Sequence, residues 1–142
     1  MLRLENLVVG RGAGPVARIG HLAAAPGEAV LIVGPSGAGK TTALLALAGL
    51  APIHGGQAWL GDIDLTALDR RGRDRLRGSA MGFVFQDLHL VAGLSALDNV
   101  LLAPFAAGLE PDAPRAQALL DSMGLADLAH RPAERLSRGQ AQ

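Results

Sequence analysis

The chain has 142 residues, 49% hydrophobic and 18% charged, with a formal net charge of zero. That length supports one core, the composition is ordinary for a globular protein, and the balanced charge gives no global attraction to nucleic acid or to an anionic membrane. The sequence has no cysteine, which excludes disulfides and thiolate metal sites.

The N-terminus, Met1-Leu2-Arg3-Leu4-Glu5-Asn6, lacks the apolar segment of a signal peptide. No apolar run approaches the roughly 18 residues needed to span a bilayer. A cytoplasmic location is expected. Leu2 to Val9 is predicted as a first strand, followed by a turn through Gly10-Arg11-Gly12-Ala13-Gly14-Pro15. Val16 to Ala24 is predicted as a second strand, closed by Pro26-Gly27, and the spacing is antiparallel. Ala29-Val30-Leu31-Ile32-Val33 is a short unbroken apolar run, as expected for a strand buried on both faces.

Gly34-Pro35-Ser36-Gly37-Ala38-Gly39-Lys40-Thr41-Thr42 then fits G-x-x-x-x-G-K-[ST], the phosphate-binding loop pattern. Gly37 and Gly39 allow a backbone with φ > 0 and close approach to a ligand. Successive N–H groups then face one concavity, a nest for phosphate oxygens. A helix starting near Lys40, rich in strong helix formers through Ala48, adds its positive N-terminal end. The Lys40 ammonium is placed to neutralise β- and γ-phosphate charge. The Thr41 hydroxyl is placed to ligate Mg²⁺, which takes few protein ligands beside a nucleotide. An apolar strand before the loop and a helix after it supply the context that the motif requires.

Gly49 and Pro52 end that helix. Gly55-Gly56 is expected to begin a turn, with Gln57-Ala58-Trp59-Leu60 a strand leaving through Gly61-Asp62. Trp59 is expected to pack and not to contact a ligand. Asp69 to Arg77 carries Arg70, Arg71, Arg73, Arg75 and Arg77. With no interleaved aromatic residues for base stacking, it is expected to be a solvated helix face with no nucleic-acid role. Met81-Gly82-Phe83-Val84-Phe85 is a further buried-strand candidate ending at Gln86-Asp87. Ser95-Ala96-Leu97-Asp98 fits a capping box for a helix from Ala96 to about Ala103, stopped by Pro104. Asp112 is a predicted N-cap, with Pro114 in the first turn of a helix ending at Met123-Gly124. Leu125 to His130 is predicted as a short helical piece. The four histidines are scattered with no i, i+4 pair, which argues against a metal centre.

Three stretches together resemble the nucleotide-binding subunit of ABC transporters. They are Gly34 to Thr42; Gly82-Phe83-Val84-Phe85-Gln86, which looks like the Q-loop; and Leu136-Ser137-Arg138-Gly139-Gln140, which looks like the LSGGQ signature. Gln86-Asp87-Leu88-His89-Leu90 with Ser95-Ala96-Leu97-Asp98-Asn99-Val100 resembles the lipoprotein-release and macrolide-exporter branch. The resemblance implies an α/β P-loop NTPase of ABC type. It would have an N-terminal antiparallel β subdomain, a partial parallel core and an α-helical subdomain, incomplete at the C-terminus. The expected division is 1–68 for the β subdomain and phosphate-loop core, 69–94 for the Q-loop strand and connection, and 95–142 for the helical subdomain up to the signature.

The roles implied are equally specific. Ser36, Gly37, Ala38, Gly39, Lys40, Thr41 and Thr42 would bind the phosphates of ATP, and Thr41 and Gln86 would attend Mg²⁺. Gln86 would sense the attacking water. Ser137, Gly139 and Gln140 would contact ATP held by a second, identical subunit, and Ser137 can also act as an N-cap. The residues after Gln86 would face a separate membrane permease, which places the protein at the inner face of the plasma membrane. Arg138 stands where the signature usually has glycine, and Arg11 where the family stacks an aromatic residue on adenine. The family continues past the signature with an apolar strand ending in Asp-Glu and a switch histidine. The expectation is therefore an N-terminal portion of a longer ATPase, inactive by itself. A non-hydrolysing nucleotide-binding or regulatory module is the alternative, while a P-loop GTPase or kinase would leave Gln86 and the signature as coincidences.

Overall fold

The computed structural model describes residues 1–142. The chain forms two compact units, Met1–Arg77 and Gly78–Gln142. In the first unit, strand β1 (Leu2–Arg11) pairs antiparallel with β2 (Gly14–Ala24) on one side and β3 (Ile53–Leu60) on the other. β4 (Ile63–Asp64) extends β3 through the Gly61-Asp62 turn, giving the sheet order β2-β1-β3-β4. Helix α1 (Lys40–Leu47) packs against β1 and β2. Leu4, Leu7, Val9 and Ala58 from the sheet are buried, as are Ala43 and Ala46 of α1.

The spacing of apolar residues along β1 explains an irregularity at its centre. Leu4 and Leu7 are both buried although they lie three apart, so the period-two alternation slips by one residue between them. The register records the slip: Glu5 faces Gln57, but Val8 faces Gly55, so β1 holds one residue more than β3 over this stretch. Asn6, at φ 48°, and Gly56, at φ 78°, absorb the extra residue as a β-bulge. A Cβ on Gly56 would lie 2.2 Å from the Asn6 carbonyl oxygen. The expected turn at Gly55-Gly56 is thus absent: both glycines lie inside β3, which starts at Ile53, and face the bulge of β1. Next to it, Arg3 lies opposite Trp59 and its guanidinium sits 4.1 Å from the ring centroid. Trp59 packs on the sheet as expected.

The segments expected as parallel-core strands behave differently. Neither 29–33 nor 81–85 joins a sheet, and the only sheet is antiparallel. Leu31 is 84% exposed and Val84 81% exposed. A strand buried on both faces needs a hydrogen-bonded neighbour on each edge and apolar layers above and below. The described chain gives these two segments none of the first, so they stay outside any sheet.

Helix α2 (Arg70–Ala80) runs across the boundary of the two units. Arg70, Arg71 and Arg75 are exposed as expected, but Arg73 and Arg77 are half-buried, and Gly72 is the only buried residue of the helix. Asp69 Oδ1 accepts the Gly72 N–H at 2.7 Å in the first turn, and Arg77 Nη1 donates to the Ala48 carbonyl at 3.0 Å while pairing with Asp74. Arg77 thereby satisfies an orphan carbonyl at the end of α1.

The second unit contains α3 (Ala96–Ala106), α4 (Ala113–Ser122) and the short α5 (Arg138–Ala141), with single 3-10 turns at Ala126–Leu128 and Ala133–Arg135. Ser95 and Asp98 form the expected capping box. Asp112 caps α4 by accepting the Arg115 N–H at 2.9 Å. Pro104 does not stop α3 but sits in its last turn. Only one helical hydrogen bond is forfeited there, and the Ala107, Gly108 and Leu109 amides close the end onto Ala103, Phe105 and Pro104.

The bulge supports a paired test. Gly56→Ala forces a side chain into a positive-φ site against backbone and should lower stability by about 1–3 kcal/mol in chemical denaturation. Gly20→Ala on β2, where a Cβ meets nothing within 4 Å, should stay within about 0.5 kcal/mol of the parent. Equal midpoints for the two variants would contradict the bulge.

Candidate functional site

The phosphate loop lies in the first unit, between the unpaired segment 29–33 and α1. Its backbone is set by glycine. Gly37 and Gly39 have φ of 81° and 84°, the left-handed region that the pattern anticipated. Gly39 is the N-cap of α1 and offers no side-chain cap. The first-turn amides of α1, those of Lys40, Thr41 and Thr42, therefore keep their N–H groups for an external acceptor. Ser36, Gly37, Ala38 and Thr41 are exposed.

Lys40 is organised by the loop itself. Its Nζ donates to the Gly34 carbonyl at 2.9 Å and to the Pro35 carbonyl at 2.8 Å. The ammonium is thus folded across the mouth of the loop, held by two neutral acceptors. A phosphate oxygen is a stronger acceptor for the same group, since charge-assisted bonds are about twice as strong as neutral ones.

Gly39 has a second role that the motif alone does not reveal. A Cβ there would lie 2.7 Å from Ala17 Cβ and 3.1 Å from Val16 Cγ1. The loop therefore rests against β2, and glycine is required by packing as well as by φ. No signal in the loop pattern announces this contact, because its partner lies more than twenty residues earlier in the chain.

Gln86, Ser137, Gly139 and Gln140 belong to the second unit. Gln86 is exposed and follows a small aromatic cluster. Phe83 and Phe85 stack with centroids 6.0 Å apart, and Phe85 meets the edge of His89 at 5.4 Å. Beyond them, Asn99 of α3 holds the next loop: its Oδ1 accepts the Val91 N–H at 2.7 Å, and its Nδ2 donates to the Val91 and Ser95 carbonyls at 3.2 and 3.0 Å. The Asp98 carboxyl, hydrogen-bonded first by the Ser95 hydroxyl and then by its backbone N–H, is held below the usual carboxylate range.

The signature segment forms a compact helix start. Ser137 is the N-cap of α5, as its sequence position suggested. Ser137 Oγ accepts the Gln140 N–H at 3.3 Å, and Gln140 Oε1 accepts the Ser137 N–H at 3.0 Å. Gln140 thus closes a capping box in addition to any ligand role. Gly139 has open space where a Cβ would stand, so nothing within the chain requires glycine there. Arg138 is exposed at the first helical position. Arg11 is exposed at the end of β1, and no helix of the structure is long and apolar enough to cross a membrane.

Comparison with known proteins gives this geometry its class. The chain matches the family profile described as ABC transporter over residues 20–142. It is 46% identical, over 121 residues, to the lipoprotein-releasing system ATP-binding protein LolD of Pseudomonas fluorescens, covering 82% of this chain and 52% of that protein. It is 45% identical, over 120 residues, to the macrolide export ATP-binding/permease protein MacB of Marinobacter nauticus, covering 82% of this chain and 18% of that protein. Among solved structures, the dimeric post-hydrolysis state of the ATP-binding cassette MJ0796, bound to ADP and Pi, superposes with a TM-score of 0.80 at 29% identity. That superposition covers 99% of this chain and 65% of the other.

The chain belongs to the ABC transporter family. Its relatives place it with the ATP-binding components, in the branch that includes lipoprotein-release and macrolide-export proteins, and it spans about half the length of the LolD protein that it matches.

The close contact at Gly39 generates a prediction. Gly39→Ala should destabilise the first unit by about 1–3 kcal/mol through strained φ. Pairing it with Ala17→Gly removes the 2.7 Å clash but not the positive φ. The double variant should therefore recover part of the loss and not all of it, as read by thermal unfolding of both proteins.

Proposed function

We propose that this chain forms the nucleotide-binding part of an ABC transporter ATP-binding subunit, which couples ATP binding and hydrolysis to transport through a separate membrane permease. The observation that carries the reading is the loop Gly34–Thr42: two left-handed glycines, an uncapped helix start and a lysine folded over the mouth. Such a loop offers convergent N–H donors, a positive helix end and a mobile ammonium to one polyphosphate.

Binding then proceeds by exchange of acceptors. Lys40 leaves the Gly34 and Pro35 carbonyls and pairs with β- and γ-phosphate oxygens. The amides from Gly37 to Thr42 take the remaining phosphate oxygens. Thr41, exposed in the first turn of α1, is the hydroxyl that would hold Mg²⁺ beside the phosphates. A single hydroxyl suits an ion held mainly by nucleotide oxygens and water. When bound, Mg²⁺ offsets phosphate charge in the transition state. Gln86 is the candidate for orienting the attacking water.

The signature supports a dimeric mode of action. Gly139 is not demanded by any neighbour in its own chain. A glycine that allows close approach from outside fits a helix start that meets the phosphates of a nucleotide on a second subunit. The MJ0796 relative is dimeric and holds ADP and Pi. By the same reading the subunit is peripheral to the inner face of the plasma membrane, attached through its permease.

The test is nucleotide binding with a charge-deleting control. Calorimetry on the 142-residue chain with ATP and Mg²⁺ should show one site. Lys40→Ala removes a charge-assisted contact worth about 1.5–3 kcal/mol, which corresponds to a loss of roughly 10- to 100-fold in affinity. In a version extended at its C-terminus to the length of the relatives, the same substitution should abolish turnover. Absence of binding by the parent chain, or unchanged affinity in Lys40→Ala, would overturn the assignment.

A further inference from the structure

The loop after Gln86 and the segment before the signature are fastened together within the second unit. The Ala96 N–H donates to the Arg131 carbonyl at 3.0 Å, Leu97 N–H to Ala129 at 2.8 Å, and Ala133 N–H to Leu94 at 3.0 Å. Ser95 and Pro132 form an antiparallel bridge between the same two segments. All of these are backbone contacts and depend little on side-chain identity. One further contact does depend on it. Glu134 Oε2 accepts the Gly93 N–H at 3.2 Å, across 41 residues of sequence.

We propose that Glu134 is a positioning residue that transmits displacement of the loop 90–94 to the signature turn at Ser137. The use made of that displacement rests on the reading of Ser137 as a phosphate contact; the mechanical link itself does not.

The geometry on each side of the contact favours transmission. On the loop side, Gly93 has φ 83°, a conformation glycine adopts without cost, and its N–H is the donor to Glu134. Asn99 ties both ends of the loop by binding Val91 and Ser95. Its outer surface is apolar: Leu90 and Val91 are 36% and 42% exposed, beside the Phe83–Phe85–His89 cluster. A partner protein presenting an apolar segment would press on this face. On the signature side, Glu134 lies in the 3-10 turn Ala133–Arg135, anchored by buried Ala133. The Leu136 N–H donates to the Ala133 carbonyl at 3.2 Å, and the next residue, Ser137, caps α5. The carboxylate that grips Gly93 is thus three residues from the cap. Backbone N–H groups, its own first and then that of Gly93, hold the Glu134 carboxyl below its ordinary range, so it is an ionised acceptor near neutral pH.

A local staple and a transmitting contact differ in reach. A staple changes only the loop. A transmitting contact changes the exchange of amides in the signature helix as well. Residue-resolved amide hydrogen exchange on the 142-residue chain reads both. Glu134→Ala should raise exchange at Gly93 by about 5-fold, the loss of one hydrogen bond near 1 kcal/mol. It should raise exchange at Gln140 and Ala141 in the same experiment. Glu134→Gln, which keeps an acceptor oxygen, should restore both regions. Asp112→Ala, which removes the α4 cap in the same unit, should leave Gln140 and Ala141 at parent rates. Faster exchange at Gly93 alone, no change at Gly93, or a Glu134→Gln variant that behaves as Glu134→Ala would each overturn the proposal. No nucleotide is present, so a failed assignment of ATP binding would appear in the Lys40→Ala calorimetry and not here.

Discussion

The phosphate loop depends on a contact with no chemistry of its own: the approach of Gly39 to Val16 and Ala17 of β2. A single Cβ would close the gap to 2.7 Å. That packing fixes where α1 begins, since Gly39 is its N-cap. It also fixes where the first-turn amides point. The sheet that receives the loop owes its own shape to another glycine. Gly56 and Asn6 take up the extra residue of β1, so that Leu4 and Leu7 both turn inward. The same bulge keeps Val9 in the core, opposite Ile53 of β3. Two backbone freedoms, at Gly56 and at Gly39, thus connect a hydrophobic pattern to a phosphate cradle.

Around that cradle the chain is poised and not rigid. Lys40 is stabilised by its own loop, yet both partners are neutral carbonyls. Each is easily exchanged for a charged oxygen. In the second unit the signature segment is likewise pre-formed. The Ser137–Gln140 capping box holds a helix start that contains only four residues, too short to persist without its cap. Both segments are helix N-termini, that of α1 without a side-chain cap and that of α5 closed by the Ser137–Gln140 box. The loop 90–94 and the segment 129–134 are tied together by backbone bonds and by Glu134.

Local chemistry was legible in the sequence, and pairing was not. Ser95, Asp112 and Ser137 announced their caps because a cap is written within three residues. Gly37 and Gly39 announced positive φ for the same reason. The apolar run 29–33 was equally clear as a pattern, but a strand is defined by its neighbours, and neither it nor 81–85 finds one here. Their exposed Leu31 and Val84 show that hydrophobicity without a partner edge does not make a strand. Gly55-Gly56 misled in the opposite direction. A diglycine usually marks a turn, but here the three-residue spacing of Leu4 and Leu7 on another strand required a bulge. Pro104 was overridden because its missing N–H falls in the last turn of α3, where neighbouring amides close the end. Glu134 carried no signal, since its partner lies 41 residues away. Membership of the ABC transporter family was legible from the spacing of the phosphate loop, Gln86 and Ser137–Gln140, which no one of these stretches would have established alone.

The central claim is that Gly34 to Thr42 receives a polyphosphate through its backbone and Lys40. The most direct measurement is a titration of the isotope-labelled chain with ATP and Mg²⁺, followed by backbone amide NMR. The largest shifts should fall on Gly37, Gly39, Lys40 and Thr41, with the Lys40 Nζ signal moving as it leaves the Gly34 and Pro35 carbonyls. Saturable shifts centred elsewhere, or a loop whose amides do not respond at all, would contradict it.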